Sequence, residues 1–96
     1  MNVCEGNPVD VWHAMPSSQR EAYLSAVLDA LIVAHPGATD ITLTVRAHVV
    51  VRAAAEIRSG NTVINTNSQI DQHVEAAARF HGRTKMFAGP GLNRSN

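Results

Sequence analysis

Cysteine is almost missing from this 96-residue chain: Cys4 stands alone, which excludes an intrachain disulfide and suits a reducing compartment. Aromatic residues are nearly as scarce, with two Phe, one Trp and one Tyr. Charged residues make up 17% and the formal net charge is zero, so the basic excess of a strong nucleic-acid binder is lacking. The longest apolar run covers residues 30–34, far short of the roughly 20 residues that cross a bilayer. Residues 1–8 hold an acid and no apolar stretch, so no export signal is expected and the Asn93-Arg94-Ser95 triplet is not expected to be glycosylated. The expected location is the cytoplasm.

What is present is an apolar fraction of 45%, ample for a folded chain. Fourteen of those residues are Ala, so each ordered residue brings little buried area and close-packed faces are expected. A chain of this length forms one domain, and a thin core invites completion by a second copy. Residues 1–88 are expected to form that domain, with a loop-like N-terminus, and residues 89–96 a mobile tail. The zero net charge hides a split. Residues 1–40 set Glu5, Asp10, Glu21, Asp29 and Asp40 against Arg20; residues 41–96 set seven basic side chains against Glu56, Asp71 and Glu75. Seven of the eight basic residues in the chain are Arg, the side chain suited to planar anion contacts.

Apolar spacing predicts a mainly α (α+β) fold with three helices, over about 18–34, 45–58 and 68–81, and short strands over about 41–44 and 62–65. For the first helix, Ser18 and Glu21 fit a capping box, and Leu24, Val27, Leu28, Leu31 and His35 share a stripe ended by Pro36-Gly37. Residues 39–60 carry two conflicting periods. Ile41, Leu43 and Val45 alternate as a strand does, whereas Ala47, Val50, Val51, Ala54 and Ile57 fit a helical stripe stopped by Gly60. The helical reading is preferred there on the three consecutive alanines, against the β-branched Val49-Val50-Val51 run. Ile70, Val74, Ala77 and Ala78 suggest the third helix, with Gly82 just beyond its end. Residues 1–15 read as a loop with an extended piece at Val9 to Trp12.

No catalytic arrangement emerges, and the chain is expected not to be an enzyme. Cys4 has no helix N-terminus to activate it, no Ser stands in a glycine elbow, and the carboxylates are unpaired. Zinc ligands usually come in pairs three to five apart; the five His and one Cys form no such pair, so neither a metal nor a cofactor is expected. The reading that remains is a non-enzymatic protein–protein interaction module, a small cytosolic protein of bacterial type that acts as a homodimer. Its partner- or phosphate-contact candidates are Arg79, Arg83, Lys85, Arg52, His48 and Trp12. One alternative is a small DNA- or RNA-binding regulator using the 68–81 helix and the basic arm after it, where Arg79, Arg83 and Lys85 follow Glu75 without another acid. Another is a small-ligand or metal-binding domain built from histidines distant in sequence.

Overall fold

The computed structural model describes residues 7–66 and 74–89. Two helices, α1 (Pro8–Ala14) and α2 (Ser17–Ala34), precede five strands, β1 (Asp40–Ala47), β2 (Val51–Ser59), β3 (Thr62–Asn65), β4 (Ala76–His81) and β5 (Thr84–Ala88). The strands form one antiparallel sheet in the order β3-β2-β1-β4-β5. Both helices lie on the same side of it, α2 across β1 and β4 and α1 across the far ends of β1 and β2.

This sheet-rich α+β fold overturns the expected mainly helical one. Among the described residues only the first of the three expected helices is there, as α2. The supposed helix over 45–58 is the end of β1, a hairpin tip and most of β2, paired from Asp40↔Arg58 to Ala47↔Val51. Two physical facts defeat the helical stripe. Period-two burial of Ile41, Leu43, Val45 and Ala47 runs unbroken to the end of β1, and β2 answers it with Ala55 and Ile57. The helix preference of alanine is too weak to resist such pairing, because tertiary packing outweighs local propensity. Val49 and Val50, at the hairpin tip, are exposed.

Residues 76–81 of the expected third helix are likewise a strand, with Ala76 and Ala78 fully buried and His81 opposite Asp40. The rest of that element, 67–73, lies outside the described residues, as do 90–96 of the expected tail. Gly60 and Gly82, read as helix stops, have φ of 62° and 64° and open the two-residue loops of the β2–β3 and β4–β5 hairpins. A left-handed residue at that position matches the twist of the flanking strands, and glycine takes it without steric cost.

The N-terminal loop is also corrected. Residues 8–14 are helical because Asn7 Oδ1 caps Val9 N at 2.9 Å and Pro8 takes the first turn, where its missing N–H costs nothing. The expected capping box of α2 is not used: Pro16 is its N-cap, with no side-chain cap bond. Arg20 ties the two helices together, donating from Nε to Trp12 O and from Nη2 to His13 O, both at 3.0 Å. It thereby adds a donor to Trp12 O, which also accepts from Met15 N at 3.2 Å, and reaches the next carbonyl of the last turn of α1. Trp12, Leu24 and Leu28 from the helices close on Ile41, Leu43, Val45, Ala55, Ile57, Ala76 and Ala78 from the sheet, and this is the core.

Candidate interaction face

Alternation along a strand sends neighbouring side chains to opposite faces, and residues paired across strands share a face. Because Ile41, Leu43, Val45 and Ala47 point to the helices, Asp40, Thr42, Thr44 and Arg46 point away from them. The register then fills the open face row by row. Asp40 lies between Arg58 and His81, Thr42 between Glu56 and Arg79, Thr44 between Ala54 and Ala77, and Arg46 beside Arg52. The middle of the face is therefore small and flat, and its rim carries four arginines against the two carboxylates of Asp40 and Glu56. All four aromatic side chains lie elsewhere, Trp12 and Tyr23 on the helices and Phe80 and Phe87 on the strand positions that pair with core residues.

At one end of this face Asp40, Thr42, Glu56, Arg58, Arg79 and His81 line a shallow hollow of about 310 Å³. The imidazole Nδ1 of His81 is hydrogen-bonded to the Asp40 carboxylate, and Thr39 Oγ1 donates to the other carboxylate oxygen at 3.4 Å. The His81 hydrogen bond holds Asp40 below the usual carboxylate range; the charges of His81 and Arg79 and the Thr39 hydroxyl act the same way, against partial desolvation. Arg58 and Glu56 are 3.9 Å apart and both about half exposed, a contact of little energetic weight.

The depressed acidity of Asp40 fixes a pH dependence. A carboxyl with a folded pKa below its unfolded value of 3.8 adds stability above that value and loses it as pH falls through the folded pKa. Asp40→Asn should therefore melt below the native chain at pH 6, with the gap closing below about pH 3.8, as followed by circular dichroism. A gap unchanged at pH 3 would mean that Asp40 acts through packing alone.

The residues expected to make contacts are not brought to one surface. Arg79 stands on the open face beside the hollow, and Arg52 stands on the same face at its other end. His48 is exposed at the β1–β2 tip, and Arg83 is exposed in the β4–β5 turn. Lys85 turns to the helix side, where Nζ donates to Ser25 Oγ at 3.2 Å and to Asp29 Oδ1 at 2.9 Å. Trp12, only 2% exposed, is in the core under α1. The rows through Asp40, Thr42 and Thr44 were not singled out from the sequence, although the alternation from Ile41 to Val45 that places them was visible there. Among the described residues no three His, Cys, Asp or Glu side chains form a group able to hold a metal ion, and no helix is long and apolar enough to cross a membrane.

No protein-family model, curated protein or solved structure matches the chain.

Proposed function

We propose that this chain is a non-enzymatic protein–protein interaction module that self-associates through the open face of its sheet. One observation carries the reading: the helices cover one face of a five-stranded sheet, and no described element of the chain covers the other. The centre of that face, Thr42, Thr44, Ala54 and Ala77, is half-buried and free of long side chains, so a second surface can approach it closely. Interfaces of this kind place a tightly packed centre inside a polar rim, and here the rim is rich in arginine. Recognition of single-stranded nucleic acid on an open sheet relies on aromatic rings that stack on bases. The open face offers none among its described residues, which favours protein over nucleic acid.

Thr44→Lys tests the proposal, because it sets a long charged side chain in the middle of the face and leaves the helix-side core untouched. Light scattering at rising concentration should show the native chain approaching the mass of two copies and the variant remaining at one. If the native chain stays at one copy throughout, self-association is wrong; if the variant associates as well as the native chain, the face is wrong.

A further inference from the structure

The open face has a second property, in the order of its charges across the strands. Going from β2 through β1 to β4, one row reads Glu56, Thr42, Arg79: negative, neutral, positive. The row between it and the hairpin tip reads Ala54, Thr44, Ala77, small on both sides. Farther along, Arg52 and Arg46 stand opposite each other, both positive. The Thr42 row is thus antisymmetric about β1, and the Thr44 row beside it is symmetric.

The Thr42 row is self-complementary under a two-fold axis along β1. A two-fold axis parallel to β1, lying between two facing sheets, carries the β2 side of one copy over the β4 side of the other. Neighbouring strands are about 4.8 Å apart, so Glu56 and Arg79 stand roughly 10 Å apart, one on each side of β1, and each would meet the opposite charge of the partner. The geometry points to an isologous homodimer, packed open face to open face, in which Glu56 pairs with Arg79 of the second copy. This rests on the self-association reading above and specifies its contact. Twisted sheets pack face to face with strands within about 30° of each other, which an axis near β1 permits.

Ala54 over Ala77 and Thr44 over Thr44 leave nothing bulky at the centre, so the rim charges can come into contact. At the Asp40 row the axis brings two carboxylates together, and at the Arg46 row two guanidiniums, but it also brings the Arg58 guanidinium of each copy across to the His81–Asp40 pair of the other. An axis across the strands through the Thr42 row would instead set Glu56 on Glu56 and Arg79 on Arg79, and like charges in contact oppose association. Strand spacing and length make the face about 20 Å by 25 Å, so two copies bury on the order of 1,000 Å² in all, the lower end for a specific contact. The dimer is accordingly weak enough for single charges to govern it.

Glu56→Arg and Arg79→Glu test the pairing, read by sedimentation equilibrium of the full chain with a circular-dichroism melt of each variant as the fold control. Each single variant places like charges together twice per dimer and should raise the dimer Kd by about ten-fold or more. Mixing the two variants in equal amounts recreates two opposite-charge pairs and should return the Kd to within about three-fold of the native value, as should the double variant carrying both changes. Native chain that remains monomeric removes the self-association reading and this contact with it. A native dimer untouched by either single variant keeps self-association and overturns the face-to-face pairing. Single variants that weaken the dimer without rescue on mixing keep the face and overturn the axis.

Discussion

Trp12→Ala is expected to remove about 3–5 kcal/mol of folding stability, the cost of deleting a large aromatic from a closed site. Trp12 is only 2% exposed, packs edge-on against Tyr23 with centroids 6.1 Å apart, and has the Arg20 guanidinium carbon 5.5 Å from its ring centroid. It is also the point where α1 docks. Without the indole, the helix keeps only Val9 as a buried side chain, and seven residues make too short a helix to persist alone. For a domain of this size the melting temperature should drop by roughly 15–25 °C. Trp12→Phe should behave differently. Its indole Nε1–H is buried without an acceptor among the described residues, so removing that donor offsets part of the lost volume. The phenylalanine variant should therefore stay within about 1–2 kcal/mol of native in urea unfolding. An alanine variant that loses under about 1 kcal/mol would show that α1 does not depend on the indole for docking.

The sequence makes α2 legible and also the strands at 41–44 and 62–65, which are part of β1 and all of β3, but not the rest of the sheet, for one physical reason. In α2 the 3.6-residue stripe through Leu24, Val27, Leu28 and Leu31 is made of side chains large enough for their burial to dominate any reading. In β2 and β4 the buried positions are mostly alanine: Ala55, Ala76 and Ala78. Alanine fits either period, so runs such as Ala53-Ala54-Ala55 carry no phase, and the best helix former wins on propensity alone. The decision lies in contacts distant in sequence, Leu43↔Ala55 and Leu43↔Ala78, which no local window contains. One local signal was there to use. Gly60-Asn61 joins Ser59 and Thr62 as a two-residue hairpin loop, and that dipeptide between apolar runs argues for strands on both sides.

The same error hid the face. With 45–58 taken as a helix, Arg52 and Glu56 fall together on its wet side, four residues apart, and their separate rows on the sheet cannot be seen. Asp40 and His81 are 41 residues apart in sequence and meet only because β1 and β4 are neighbours. Arg79 was legible as an exposed cation in either reading, since residues facing solvent on a helix or a strand are polar in both. Lys85 stands apart from these. Its charge suggested outward contact, yet it faces α2 and spans from the basic second half of the chain to Asp29 in the acidic first half.

The alanine floor under α2 leads to the second large effect. Leu24 and Leu28 have no exposed surface, and the strand positions in the same core include Ala76 and Ala78, also with none. A helix approaches a sheet this closely only where the sheet side chains are small, so the leucines supply most of the volume of that layer. Leu28→Ala should therefore cost about 2–5 kcal/mol, a large share of the roughly 5–14 kcal/mol expected for a chain of 96 residues. Ala78→Leu should cost about 1–3 kcal/mol by overpacking, because the added carbons must displace α2 or adopt strained rotamers. Combined in one chain the two changes should be less harmful than their sum, by about 0.5–3 kcal/mol, as the new leucine enters the space the old one left. Urea unfolding of the native chain, both single variants and the double variant measures that coupling. Strict additivity would place Leu28 and Ala78 in separate parts of the core, and α2 would then be held by its contacts with β1 instead of β4.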